Sequence, residues 1–133
     1  MIPIYRPYIA QNTKKYLNRV VDENWYAHGG YFNRAAEEKL KSLSGSKHVL
    51  LLNNGTSATH LLSKALLKKK NIKKIICPNG VYVAAWNSFL FDGNMKIELL
   101  DLDLNTWNYN KTLLQEKLAT EDPNHTAVLV VHN

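Results

Sequence analysis

The sequence predicts an α/β protein with a mostly parallel sheet and crossover helices. From His48 onward, short apolar runs alternate with segments of helical periodicity in the order β-α-β-α-β-α-β, which favours parallel strands with right-handed crossovers. Before that point, residues 1–45 carry two helical patterns. We therefore expect a single incomplete domain over residues 1–133, with a helical N-terminal segment at 1–45 and part of a larger sheet domain at 46–133.

Two amphipathic helices are predicted in the first third of the chain. Thr13–Asn24 has apolar residues spaced for one helix face, and Asn12 or Thr13 can cap its start. Asn33–Leu43 repeats this pattern, and Gly45 follows where the end of a helix favours a glycine. These two helices make up most of the expected N-terminal segment.

Four short apolar runs are predicted to be the strands of the sheet. The runs are Val49–Leu52, Lys74–Cys77, Lys96–Leu100 and Ala127–Val131. The first is continuously apolar, as expected of a strand that is buried on both faces. The segments between the strands have helical periodicity and are the expected crossovers: Ser57–Lys69, Tyr82–Phe91 and Asn110–Ala119.

Length and composition exclude several classes of protein. A chain of 133 residues suffices for one modest core, and its apolar runs are far shorter than the ~18 residues that cross a bilayer. The N-terminus lacks the pattern of a secretory signal, and the single cysteine, Cys77, fits a reducing compartment. We therefore expect a cytoplasmic protein without a membrane partner.

The net charge of +6 admits nucleic acid, an anionic membrane surface or a phosphate-bearing ligand as a partner. The densest basic run, Lys68–Lys70, lies at the predicted end of a helix, where lysines complement the helix dipole. Neither interleaved aromatic residues nor an arginine stripe accompanies it, so binding to nucleic acid is disfavoured.

The sharpest local feature is the turn at residues 53–57, between a predicted buried strand and a predicted helix. Gly55 lets the backbone turn tightly, and Thr56 and Ser57 add two hydroxyl groups beside the amide groups of a helix N-terminus. This combination favours an anion site. A plain strand-to-helix turn with Thr56 or Ser57 as N-cap is the alternative that the residues leave open.

A second feature follows the next predicted strand. Residues 77–87 begin at the same edge of the sheet as the turn at Gly55, because the carboxyl ends of parallel strands share an edge. An exposed Tyr82 there can stack on a flat ring, and core packing of Tyr82 is the open alternative. The histidines show no metal-ligand spacing, and Asp101 and Asp103 fit a strand end entering a turn, so no metal site is expected.

Six motifs in order resemble the N-terminal portion of the DegT/DnrJ/EryC1/StrS aminotransferases. These enzymes use pyridoxal 5'-phosphate (PLP), belong to fold type I and aminate nucleotide-linked keto-sugars. The sequence NGTSATHL at 54–61 is similar to the family's phosphate loop, NGTAALHL, and PNGVYVAAWN at 78–87 is similar to PSFTYVATAN. The resemblance covers nearly the whole chain through residues 2–7, 29–38, 54–61, 78–87, 101–108 and 130–132.

The resemblance implies the N-terminal part of a fold-type I large domain and a PLP cofactor. It implies that Thr56 and Ser57, with the backbone at Gly55, bind the cofactor phosphate and that Tyr82 stacks on the pyridine ring. The chain departs from the motif at Gly80–Val81, where the family has a small polar pair. The family's Schiff-base lysine and the acid that pairs with the pyridinium nitrogen lie beyond residue 133, so no catalytic residue is assigned.

The function implied by the resemblance is that of an aminotransferase. The chain would be the N-terminal part of an enzyme that moves an amino group from a donor such as glutamate to a keto-hexose on a nucleotide, acting as a homodimer. Because the sequence ends directly after its last predicted strand, a truncated, non-catalytic remnant is the alternative. Such a remnant would bind phosphate or PLP weakly, or pair with a full-length relative. A basic nucleic-acid-binding module is a third hypothesis, and it rests on charge alone.

Overall fold

The computed structural model describes residues 2–27 and 29–132, apart from the side chains of Lys69 and Lys70. The chain forms two compact units that divide between Leu51 and Leu52. The first unit is helical and the second contains the parallel sheet.

The first unit contains the two predicted helices, α1 (Thr13–Asp22) and α2 (Tyr31–Ser44). Helix α1 ends two residues before the predicted end, because Asn24 has a φ of 58° that no α-helix accommodates. Helix α2 ends at Gly45 as predicted, where the φ of 69° favours a glycine. Between these helices the rings of Tyr16 and Phe32 meet edge to face, with centroids 6.3 Å apart.

The predicted strand at Val49–Leu52 is not formed, and this prediction was wrong. No strand of the described chain pairs with this segment, and the side chain of Leu50 is 62% exposed. A strand exists only where a neighbour accepts its backbone hydrogen bonds. An apolar run indicates burial, but it does not indicate whether a partner strand is available.

The second unit alternates helices and strands as predicted from residue 53 onward. Its crossover segments are three helices, of which the first continues into a π-helical turn at Leu66–Lys70 and the second into a 3₁₀ turn at Ser88–Leu90. The bounds are α3 (Gly55–Ala65), β1 (Lys74–Pro78), α4 (Ala84–Asn87), β2 (Lys96–Leu100), α5 (Lys111–Leu118) and β3 (Thr126–Val128).

The three strands form one parallel sheet in the order β2-β1-β3. Lys74 at the start of β1 pairs with Lys96 on one side and with Thr126 on the other. This arrangement confirms the predicted α/β fold with parallel strands and crossover helices, and within the described residues the sheet has three strands in place of the predicted four.

The core lies around the central strand β1. Residues Ile75, Ile76 and Cys77 are at most 1% exposed, because β1 is covered on both faces and flanked by both other strands. Phe89 joins this core from the 3₁₀ turn and Met95 from the start of β2. Burial raises the pKa of the Cys77 thiol to about 12, since the thiolate would lose its hydration there.

An ion-pair cluster ties the sheet to α5. Oε1 of Glu121 lies 2.7 Å from Nζ of Lys74 on β1 and 3.0 Å from Nζ of Lys117 on α5, and Oγ1 of Thr126 donates to Oε2 at 3.2 Å. The hydrogen bonds from Lys74 and Lys117 lower the pKa of Glu121 to about 2. The cluster therefore joins β1, β3 and α5 through one carboxylate.

Tyr109 joins the far ends of β1 and β3. Its hydroxyl group lies 3.0 Å from the carbonyl oxygen of Ile76 and 2.8 Å from that of Leu129. The Leu129 amide donates to the same Ile76 oxygen at 2.9 Å, so the pairing of β3 continues beyond its last residue. Burial raises the pKa of Tyr109 above its usual value.

None of the helices within residues 2–27 and 29–132 combines the length and the apolar character that a membrane crossing requires.

Candidate functional site

A cavity of about 480 Å³ opens where α3 begins, beside the segment that follows β1. Three of the four residues that the resemblance assigns to a cofactor, Gly55, Thr56 and Tyr82, line this cavity together. They meet because α3 packs against α4 and the 3₁₀ turn that follows it; a shared strand edge is not the reason, since the strand predicted before Gly55 is not formed. Their roles toward a ligand stay predictions. The full lining is Asn54, Gly55, Thr56, Thr59, Tyr82, Ala84 and Ala85.

The start of α3 is capped by Asn54. Its backbone is extended (φ −161°, ψ 168°), and its Oδ1 accepts a hydrogen bond from the Ser57 amide at 2.8 Å. The alternative in which Thr56 or Ser57 is the N-cap was therefore wrong. The helix starts two residues earlier than predicted, because the short side chain of Asn54 can bond the third amide of the first turn.

Two other amides of the first turn remain available. The first amides of an α-helix have no partner within the helix, and in the described part of the chain no acceptor is found for those of Gly55 and Thr56. Both residues line the cavity, and the helix dipole adds a partial positive charge there. This end of the cavity therefore suits an anion. Ser57 stands apart, because its amide is engaged by Asn54 and it does not line the cavity.

Tyr82 forms the opposite side of the cavity. The side chain is 79% exposed, which overturns the alternative that it packs in the core. Its carbonyl oxygen accepts from the Ala85 amide at 2.9 Å, so Tyr82 opens the turn that leads into α4. The small side chains of Ala84 and Ala85 leave room beside the ring. An exposed aromatic face at a cavity suits a flat apolar ring.

Two residues that the sequence analysis did not single out connect these sides. Thr59 lies one turn into α3, and its Oγ1 is 3.2 Å from the Gly55 carbonyl oxygen and 3.1 Å from that of Thr56. Ser88, which is 0% exposed, donates from Oγ to Oγ1 of Thr59 at 2.5 Å. The spacing of Thr59 from Gly55 is a sequence signal for such back-bonding. The contact with Ser88 spans 29 residues and has no local signal.

The glycine that departs from the family motif has a packing reason. A Cβ atom added at Gly80 would overlap with the side chain of Leu102, which follows β2. Beside it, the side-chain amide of Asn79 donates to the carboxylate of Asp101, and the Asn79 amide donates to the Leu100 carbonyl oxygen at 3.0 Å. The segments after β1 and β2 are therefore packed closely at this edge.

A larger cavity of about 720 Å³ lies next to this packing and includes Asp101 and Asp103 in its lining. Oδ1 of Asp103 accepts from the amides of Thr106 at 2.9 Å and Asn105 at 3.1 Å, and these bonds lower its pKa. The two aspartates therefore organise the turn after β2. Across the described residues, no group of three or more His, Cys, Asp or Glu side chains gathers as metal ligands would.

Fold and site together define an α/β protein with a parallel sheet and a cavity that has amide donors of α3 and the exposed ring of Tyr82 in its lining. The model of the DegT/DnrJ/EryC1/StrS aminotransferase family matches residues 7–133. The chain belongs to this family, as the six motifs indicate.

Curated relatives and solved structures agree with this assignment. GDP-perosamine synthase of Escherichia coli O157:H7 is 27% identical over 131 residues, which are 98% of this chain and 35% of that protein. GDP-perosamine synthase of Caulobacter vibrioides is 30% identical over 98% of this chain and 34% of its own length. The sugar aminotransferase CalS13 from Micromonospora echinospora superimposes with a TM-score of 0.80 at 22% identity, over 99% of this chain and 34% of that chain, which shows the shared fold. The chain spans about a third of the length of these proteins.

Proposed function

We propose that this chain is the N-terminal, cofactor-binding part of a PLP-dependent aminotransferase that acts on a nucleotide-linked keto-sugar, with an amino acid such as glutamate as the donor. The observation that carries the proposal is the single cavity shared by the start of α3 and Tyr82. Family membership supports the reaction class, and the names of the GDP-perosamine synthases support a nucleotide sugar as substrate. We further propose a cytoplasmic homodimer, on the basis of the family alone.

The anion side of the cavity fits the phosphate of the cofactor. The amides of Gly55 and Thr56 and the hydroxyl group of Thr56 supply donors, and the helix dipole favours the negative charge. A volume of about 480 Å³ lies within the range of small-molecule sites. Ser57, which the resemblance also assigns to the phosphate, does not line the cavity and has its amide engaged by Asn54, so the proposed phosphate contacts are those of Gly55 and Thr56.

The aromatic side fits the ring of the cofactor. The exposed face of Tyr82 offers stacking, which orients the ring and shields one of its faces from water. Bound PLP supplies an electron sink that makes the transfer of an amino group possible. This chain's own residues bind and orient it: Gly55 and Thr56 at the phosphate, and Tyr82 at the ring. No lysine of the chain matches the family's catalytic motif, so in this proposal the catalytic lysine belongs to sequence outside the 133 residues.

The proposal is tested with pyridoxine 5'-phosphate, which has the ring and phosphate of PLP but no aldehyde to react with the 14 lysines of this basic chain. Isothermal titration calorimetry of the 133-residue chain compares this probe with pyridoxine and with inorganic phosphate. We expect the phosphorylated ring to bind more tightly than either part. Tyr82→Ala should weaken pyridoxine 5'-phosphate and leave inorganic phosphate unchanged, because only the ring contacts Tyr82.

The matched control is Tyr26→Ala, which removes another exposed tyrosine, 73% exposed and in the first unit. Equal binding of pyridoxine and pyridoxine 5'-phosphate would contradict a phosphate site at α3. Equal effects of the two tyrosine variants would contradict the role of Tyr82.

A non-catalytic remnant would keep the same cavity, so the cavity does not favour that alternative.

A further inference from the structure

The two sides of the cavity are joined by one chain of hydroxyl groups. Ser88 belongs to the 3₁₀ turn that continues the Tyr82 segment, and it donates to Thr59 of α3 at 2.5 Å. Thr59 in turn approaches the carbonyl oxygens of Gly55 and Thr56 at 3.2 and 3.1 Å. The chain of bonds therefore runs from the ring side of the cavity to the anion side.

The bonds made by Thr59 fix the direction of an anion-binding amide. In a trans peptide unit the C=O and the following N–H point in opposite directions. The Gly55 carbonyl shares its peptide unit with the Thr56 amide, which has no acceptor within the described chain. The Gly55 oxygen accepts the helical hydrogen bond from the Thr59 amide, and the Thr59 hydroxyl group lies 3.2 Å from the same oxygen, so both groups of Thr59 keep the Thr56 N–H pointing the other way. Hydrogen bonds in series also polarise one another, which makes the Thr56 N–H group a stronger donor.

The hydrogen bond from Ser88 to Thr59 fixes the distance between the Tyr82 segment and α3. Ser88 is 0% exposed, so its hydroxyl group competes with no solvent and holds the Tyr82 segment against α3. A ligand with a ring and a phosphate has a fixed distance between them, so it needs both sides of the cavity at one separation.

We propose that Thr59 and Ser88 form a positioning pair, in which the Thr59 hydroxyl group braces the first turn of α3 at the Thr56 amide and Ser88 sets the spacing between the anion side and the ring side of the cofactor cavity. This inference rests on the proposed function. Neither residue needs to contact the reacting atoms, since both act through the backbone of α3 and the Tyr82 segment.

The test measures binding of two probes, inorganic phosphate and pyridoxine 5'-phosphate, to variants of the 133-residue chain. Ser88→Ala should weaken pyridoxine 5'-phosphate by about fivefold, the loss expected for one hydrogen bond, and inorganic phosphate by less than about twofold. Thr59→Val should weaken both probes, because it removes the hydroxyl group that braces the Gly55 carbonyl and accepts the hydrogen bond from Ser88. Thr59→Ser keeps the hydroxyl group and should restore both affinities.

The matched control is Ser63→Ala on the same helix. Ser63 is also 0% exposed, but its Oγ has no hydrogen-bond partner in the described chain, so its loss should leave both affinities unchanged. Circular dichroism of every variant checks that the fold is retained. Equal effects of Ser88→Ala on the two probes, or effects no larger than those of Ser63→Ala, would overturn the spacing role.

A second readout needs no ligand. The NMR shift of the Thr56 amide proton should move in Thr59→Val and in Ser88→Ala, but not in Ser63→Ala. If the unmodified chain bound neither probe, the proposed function would fail, and this shift alone would then decide on the pair. An unmoved Thr56 shift in Thr59→Val would overturn the pair regardless of binding.

Discussion

Tyr109→Phe tests how the carboxyl edge of the sheet is held together. The variant removes the hydroxyl group that lies 2.8 Å from the Leu129 carbonyl oxygen and 3.0 Å from that of Ile76. The Ile76 oxygen keeps the Leu129 amide as a donor, whereas no other donor to the Leu129 oxygen is found in the described part of the chain. The variant therefore leaves one carbonyl group without a partner.

The Leu129 carbonyl group would lose its hydrogen bond at a half-buried position that water reaches only in part. This loss should lower the free energy of unfolding by about 1–2 kcal/mol. With an m-value of about 1.5 kcal/mol per M in urea, the unfolding midpoint should fall by about 1 M at an unchanged slope. Tyr82→Phe is the matched control, because Tyr82 is 79% exposed and should shift the midpoint by less than about 0.3 M. Urea titrations followed by tryptophan fluorescence measure both. Equal midpoints for the two variants would refute the reasoning.

Three further outcomes are expected. Because the pKa of Glu121 falls to about 2 in the folded chain, its contribution to stability should be complete above its usual pKa of 4.5 and disappear as the pH falls toward 2. Urea midpoints at pH 7, 4 and 3 should show this decline, and Glu121→Gln should flatten it; parallel declines would contradict the ion pairs as its cause. Cys77, buried and with a pKa of about 12, should react with a thiol reagent at pH 8 only after unfolding in urea, and fast reaction of the folded chain would contradict its burial. Gly80→Ala should lower the free energy of unfolding by at most about 1 kcal/mol, because the added Cβ meets Cδ1 of Leu102, the end of a flexible side chain that can turn aside. Leu102→Ala in the same chain should recover that loss in a double-mutant cycle. Additive losses would mean that the two side chains do not meet.

The parallel sheet could be predicted because its signals are local. Apolar runs at β1 and β2 alternate with helical periodicity, and the predicted bounds of β2 equal those observed. The segment at Val49–Leu52 carries the same signal without forming a strand. Pairing depends on a neighbour far away in the sequence, which a run of apolar residues does not report.

The candidate site likewise has features that could be predicted from the sequence and features that could not. The sequence order predicted that Gly55, Thr56 and Tyr82 meet at one edge of the sheet. Tyr82 does follow β1, but no strand of the described chain precedes Gly55, and the packing of α3 against α4 brings the two segments together. The engagement of Ser57 by Asn54 was missed, since the first residue of a helix is hard to assign from propensity. The contact between Thr59 and Ser88 depends on the three-dimensional packing of two elements and could not be predicted.

The cap formed by Asn54 has a thermodynamic consequence for any anion that enters the cavity. An anion that bonds the Gly55 and Thr56 amides adds hydrogen bonds to the protein, whereas one that recruits the Ser57 amide must first displace the Asn54 oxygen at 2.8 Å. That third contact is an exchange of one acceptor for another, so it adds little enthalpy. The Asn54 oxygen thus occupies the position at the Ser57 amide that an anion oxygen would otherwise take. Its hydrogen bond keeps the first turn of α3 helical whether or not an anion is bound.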